Sequence, residues 1–269
     1  GRLQSVRRHV SATDGPRGSF ADHFGGVARG YASFRPTYPR ALFDWLAEVA
    51  PSRSLAWDCA TGSGQAAVDL AAGFARVIAT DASAAQIAQA TPHPRVEYRV
   101  ATAEDSGIAT GSVDLVAVAQ ALHWFDLGRF NAEARRVLVR GGVIAEWAYG
   151  LTRVDGDAVD ALVQHYYSEV VGPWWPPERS HIETGYRDLA FPFTRLDAPP
   201  FTMAVDWNLG QLLGYLRTWS ATARFTQARG FDPVLALGER LAPHWGPPAQ
   251  ARRVSWPLVL RAGRADPPV

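Results

Sequence analysis

Two hydrophobic rhythms alternate along residues 38–150. Runs of six to nine mostly apolar residues, LAWDCA (55–60), RVIATDA (76–82), VEYRVATA (96–103), VDLVAVAQA (113–121) and GVIAEWAYG (142–150), read as strands. VDLVAVAQA is apolar almost throughout, the pattern of a strand covered on both faces. Between the runs lie segments with helical apolar spacing: 38–50 after Pro39, 65–74, 84–90, and 127–139 closing at Gly141 and Gly142. Strands alternating with helices predict a doubly wound α/β sheet whose strands run parallel, because each return passes through a helix.

After Gly150 the alternation stops. Helical spacing returns over 158–171, 209–223 and 232–241, PWWPPER (173–179) reads as a rigid turn, and TMAVDW (202–207) and VSWPLVLRA (254–262) read as an antiparallel edge. The expected organisation is an N-terminal extension over 1–20, a cofactor-binding core with an N-terminal lid over 21–150, and helical cap segments plus the last two strands of the same sheet over 151–269. No internal repeat or low-complexity tract interrupts it.

The chemistry concentrates where the first strand ends. LAWDCATGSG (55–64) is a strand running into a glycine turn, with Gly62 and Gly64 letting the backbone turn tightly and approach a ligand, and Asp81 closes the second strand about 20 residues on, where a ribose diol needs an acceptor. GSGQAA (62–67) also matches the GxGxxA form of the dinucleotide fingerprint, so a nicotinamide oxidoreductase is one reading. Asp58 tilts the choice. It ends the strand four residues before Gly62 and faces the mouth of the turn, where a desolvated carboxylate opposes a pyrophosphate and favours a cationic ligand. S-adenosylmethionine, with its sulfonium and α-ammonium groups, is such a ligand. Asp58 as a simple helix cap is the structural alternative.

From Asp22 onward the chain resembles the class I methyltransferases, and within them the small-molecule branch called type 11 that includes enzymes like trans-aconitate methyltransferase. The residues that carry the resemblance are DHFGGVARGYASFRPTYP (22–39), DCATGSG (58–64), QALHWFD (120–126), LGYLRTWSA (213–221) and WPLVLRAGR (256–264). The resemblance implies a Rossmann-like seven-stranded mixed sheet of order 3-2-1-4-5-7-6 with a helical cap, and S-adenosyl-L-methionine as cofactor. Its implied cofactor contacts are Asp58, Ala60, Gly62 and Gly64 at the first strand, Asp81 and Ala82 at the second, Thr102, Ala103 and Glu104 at the third, and Gln120 at the fourth. Ala60 stands where the family more usually has glycine. Tyr31 and Arg35 lie in a segment that could fold over the cofactor, Arg35 offering its guanidinium to the cofactor carboxylate.

Composition narrows the alternatives. The 27 basic residues are all arginine, so the chain has neither a Schiff-base lysine nor the lysine of a P-loop. The single cysteine, Cys59, predicts a buried inert thiol in a reducing, cytoplasmic setting. A net charge of +1 without a long basic run argues against nucleic acid, and no stretch approaches a membrane span. The seven histidines show no paired metal-ligand spacing. The expected partner is a small molecule, bound by a monomer or homodimer of bacterial character.

Methyl transfer from a sulfonium needs mainly alignment and desolvation. A hydroxyl or amine acceptor also needs a base, for which His123 is best placed, whereas a carboxylate acceptor needs none. His123 beside Trp124 reads equally as a packing residue. Trp124, Trp174, Trp175, Trp207 and Trp219 fall in segments assigned to the pocket rim or cap and favour a planar or apolar acceptor, with Trp124, Trp174 and Trp219 as the candidate contacts and core packing as the structural alternative. Arg179, Arg217 and Arg224 are candidates for an anionic acceptor. A non-catalytic cofactor-binding protein on the same scaffold is the remaining reading.

Overall fold

The computed structural model describes residues 36–265. Helix α1 (Arg40–Val49) begins after Pro39 and buries Leu42, Phe43 and Leu46. Strand β1 (Leu55–Cys59) leads through the glycine turn into α2 (Gln65–Leu70), and β2 (Arg76–Asp81) into α3 (Ala84–Ala88). Strands β3 (Val96–Val100) and β4 (Val113–Ala119) follow, then a single 3-10 turn (Leu122–Trp124) and α4 (Leu127–Val137). This helix ends two residues earlier than its spacing suggests, because Leu138 turns extended and opens β5 (Leu138–Tyr149). Gly141, at φ 74°, lies where the β4–β5 register slips between the pairs Val113–Leu138 and Leu115–Val143.

The two faces of the sheet are separated residue by residue. Along β4, Leu115 and Ala117 join the core beneath α1 and α2, while Val113, Val116 and Val118 join the core beneath α4. That alternation is why the strand is apolar apart from Asp114, whose carboxylate accepts the Ser54 and Leu55 amides. Cys59 is fully buried, and burial followed by the neighbouring Asp58 carboxylate raises its thiol well above the usual range.

The parallel strands lie in the expected order β3-β2-β1-β4-β5. The far edge departs from seven strands. The 13-residue β9 (Arg252–Arg264) pairs antiparallel with β5, and its length exceeds what one neighbour can cover. β6 (Arg153–Val154) and β8 (Thr202–Trp207) pair with the remainder, and β7 (Thr194–Leu196) pairs with the other edge of the residues that β5 already engages, making nine strands among the described residues. The hydrophobic pattern misses β6 and β7 because two- and three-residue strands show no alternation.

The cap holds α5 (Asp157–His165), a π turn (Tyr166–Val170), α6 (Arg179–Glu183), α7 (Leu209–Arg217), α8 (Ser220–Arg229) and α9 (Pro233–Trp245). The helical spacing over 209–223 is two helices, since Trp219 is extended and α8 restarts after it. Asn208 caps α7 with a full capping box through Gln211. No described helix is long and apolar enough to cross a membrane.

Candidate active site

A cleft of about 550 Å³ opens where β1, β2, β4 and β5 end and the cap begins. That size suits a small-molecule site, and its position is the usual one for ligands of open α/β sheets. Asp58, Ala60, Gly62, Asp81, Gln120, His123, Trp124 and Trp219 all line it.

The sheet end is wired by backbone hydrogen bonds. Asp81 accepts the amide hydrogens of Gly62 at 2.9 Å and Ser83 at 2.8 Å, one on each oxygen, so its carboxylate is aimed by both the glycine turn and the start of α3. Asp58 accepts the Thr61 hydroxyl at 2.5 Å. Both acids are almost fully buried, 1% and 2% exposed, yet both face the cleft. The residues lining this end from β1, the glycine turn and the start of α3 include no arginine.

Ala60 (φ 58°) and Gln120 (φ 65°) occupy the left-handed region at the exits of β1 and β4. Non-glycine residues there carry strain on the order of 1–2 kcal/mol, which concentrates at binding sites. The two glycines differ in use. A Cβ on Gly62 would meet only Gln86 at 4.0 Å, leaving the cleft side open to a ligand. A Cβ on Gly64 would lie 2.2 Å from the Tyr98 hydroxyl, so Gly64 makes room for an aromatic side chain of β3 instead. Tyr98 in turn donates to the Thr91 carbonyl at 2.6 Å.

Several sequence candidates fall away from the cleft lining. Glu104 accepts the Asp126 amide at 2.9 Å and is engaged at the start of α4. Thr102 forms an isolated bridge with Asp105, and Ala103 packs in the core beneath α4. Ala82 and Gly64 are adjacent to lining residues without lining the cleft themselves. Trp174 packs edge-on against Phe225, while its neighbour Trp175 faces the cleft, consecutive side chains in the PWWPP turn taking opposite directions. Arg217 pairs with Asp232 at 2.7 Å. Tyr31 and Arg35 lie outside the described residues.

At the cap end Trp219 contacts Trp175 (5.3 Å between centroids), Tyr167 (5.7 Å) and Tyr215 (5.9 Å), forming an aromatic wall. Arg179 and Arg224 line the same end. Between the two ends stands His123, whose ring packs 4.8 Å from Trp124. Burial, with only partial opposition from Glu178, lowers its pKa to about 4, so the imidazole is neutral near pH 7. Its Nδ1 and the Nε2 of Gln120 are buried without a hydrogen-bond partner among the described residues. Trp175, Tyr215, Ser83 and Gln86 also line the site; Trp175 and Tyr215 fall in segments the sequence singled out, PWWPPER and LGYLRTWSA, whereas Ser83 and Gln86 carried no signal.

The chain matches the methyltransferase domain family over residues 57–145. A Dictyostelium discoideum protein that carries a methyltransferase name is 36% identical over 225 residues, 82% of this chain and 86% of its own length. With the sheet and the cleft, this places the chain in the class I S-adenosylmethionine-dependent methyltransferases, to which it belongs. A solved structure from Anaeromyxobacter dehalogenans, described as a type II methyltransferase, shares 52% identity at a TM-score of 0.84, covering 87% of this chain and 100% of that one. A methyltransferase of Aspergillus candidus is 29% identical over 188 residues, 60% of this chain and 59% of its own. None of these three is named for trans-aconitate.

Proposed function

We propose that this enzyme transfers a methyl group from S-adenosylmethionine to a small-molecule acceptor, at oxygen. The observation that carries the reading is the pair of buried carboxylates, Asp58 and Asp81, facing one cleft at the exits of adjacent strands. Asp81 suits the ribose of either cofactor, and Asp58 decides between them: it favours a cationic, phosphate-free ligand, whereas a pyrophosphate would meet its carboxylate and, among the described residues, no lining arginine at that end. The nicotinamide alternative is therefore not favoured, and family membership points the same way.

Asp81 would hold the ribose diol with the lone pairs its two backbone bonds leave over. Asp58 would face the α-ammonium group, and Gly62 leaves the cleft side of the turn open to close backbone approach. When bound, the cofactor supplies an electrophilic methyl group on a sulfonium. His123, neutral and with an unpartnered ring nitrogen, would accept a proton from an acceptor hydroxyl. Gln120 would donate from Nε2 to the acceptor or cofactor. A small-molecule acceptor suits a cleft of this volume, and one protomer supplies all the groups named.

Transfer of isotopically labelled methyl from S-adenosylmethionine to a panel of small hydroxyl and carboxylate compounds tests the reading. Label appearing on one of them as an ether or ester is the expected result, and binding of S-adenosylhomocysteine with no transfer across the panel would favour the non-catalytic alternative.

A further inference from the structure

The charges in the cleft are sorted by structural element. Among the described residues, the two lining carboxylates, Asp58 and Asp81, sit at the end of the sheet, and the two lining arginines, Arg179 on α6 and Arg224 on α8, sit on the cap. Arg179 is the more informative. Its guanidinium stacks over Trp175 at 5.1 Å and Tyr167 at 5.6 Å, and its Nε donates to the Tyr167 hydroxyl at 3.0 Å. Among the described residues it has no carboxylate within ion-pairing distance. Tyr167 instead spends its own hydroxyl hydrogen on Glu183, at 2.5 Å, so the phenol oxygen is turned to accept from Arg179. A half-buried guanidinium fixed by two aromatic faces and one neutral acceptor keeps the rest of its planar donor fork for a ligand.

The neighbourhood sets what that ligand is. The wall beside Arg179 is Trp175 and Trp219, flat and apolar, and His123 lies close enough to feel the arginine's charge. Resting on the methyl-transfer reading above, we propose that the acceptor is a flat aromatic hydroxy acid, bound through its carboxylate to Arg179 and methylated on its hydroxyl beside His123. A carboxylate held by a guanidinium has its lone pairs engaged and is a poor nucleophile, which leaves the hydroxyl as the reacting group. In that step the acceptor oxygen forms a bond to the methyl carbon as the carbon–sulfur bond breaks. The sulfur keeps the bonding pair and becomes a thioether, and the hydroxyl proton passes to the neutral imidazole of His123. The products are a methyl ether, S-adenosylhomocysteine and an imidazolium that returns its proton to solvent.

The test is calorimetric titration of the protein saturated with S-adenosylhomocysteine, using salicylate and para-hydroxybenzoate against the corresponding amides. At least one acid binding about tenfold or more tightly than its amide is expected, as a charge-assisted bidentate contact requires. Arg179→Gln erases that difference while leaving S-adenosylhomocysteine binding unchanged, and Arg179→Lys, which keeps the charge but not the fork, recovers part of it. Equal binding of acids and amides, no binding of either acid at millimolar concentration, or an undiminished preference in Arg179→Gln overturns the proposal. Failure of S-adenosylhomocysteine itself to bind would instead overturn the methyltransferase reading of the site, which the saturation step registers first.

Discussion

Asp81 accepts the amide hydrogen of Gly62 across 19 residues of sequence, at 2.9 Å, so one carboxylate shapes the glycine turn and faces the cleft. Cofactor binding and local stability are therefore coupled in it. Asp81→Asn keeps the shape but can accept only one of the two backbone bonds, its amide nitrogen then facing the other N–H donor. It is expected to weaken S-adenosylhomocysteine binding about tenfold or more and to cost about 1–3 kcal/mol in denaturant unfolding. Unaltered binding in that variant would remove Asp81 from the site.

The two glycines of the turn are predicted to fail differently. Gly62→Ala meets only backbone strain at φ 57° and is expected to cost about 1–2 kcal/mol. Gly64→Ala adds a collision with Tyr98 and is expected to cost more than that, with partial recovery when Tyr98 is also shortened to leucine. Chemical unfolding of the three variants checks the order.

Ala60 holds a left-handed conformation at φ 58°. Ala60→Gly relieves about 1–2 kcal/mol of strain and loses about 0.4–1 kcal/mol through a more flexible unfolded chain, a small net stabilisation. A melting temperature rising by roughly 1–3 °C is expected.

Two buried carboxyls set opposite pH dependences. Burial lifts Glu146 to about 7 against the pull of Arg261, which donates to it at 2.5 Å while its other oxygen has no partner among the described residues. The folded chain then keeps a proton that the unfolded chain releases above 4.5, so this contribution is full below 4.5 and lost as pH rises towards 7. Glu133 runs the other way. Arg136, with Ser106, pulls it to about 2, so its contribution is present above 4.5 and lost as pH falls towards 2. Melting curves across both windows should show Glu146→Gln flattening the upper slope and Glu133→Gln the lower one.

His123 separates catalysis from packing through its pH profile. With its pKa held near 4, a general base stays active well below the usual histidine range, so turnover should hold from neutrality to about pH 5 and fall near 4. His123→Ala is expected to lower kcat by about 10²-fold or more with a smaller change in KM. An unchanged kcat at saturating acceptor would leave the ring a packing role against Trp124.

The parallel half of the fold and the sheet end of the cleft were legible in sequence because each strand carries its own signal and its exit residues are contiguous with it. Asp58, Gly62 and Asp81 could be placed by counting along runs such as LAWDC and RVIATD. The cap was not legible in the same way. Its lining comes from side chains many residues apart, such as Trp175, Arg179, Tyr215 and Trp219, and choosing Trp175 over Trp174 depends on the direction each takes out of one proline-bounded turn. Glu104 illustrates the converse: it stands at a strand exit, but the Asp126 amide claims its carboxylate. The short strand β6 pairs with the part of β9 that extends past β5, and β7 with the free edge of β9 opposite β5, neither of which a local pattern encodes.

The central claim is that the acids closing β1 and β2 receive the α-ammonium group and the ribose of a phosphate-free cofactor, and thermal unfolding with candidate ligands tests it most directly. S-adenosylhomocysteine at a hundredfold excess over its Kd is expected to stabilise the protein by about 2.7 kcal/mol, a rise of roughly 5–10 °C, with NADH leaving the transition in place. Stabilisation by NADH and none by S-adenosylhomocysteine would contradict the account.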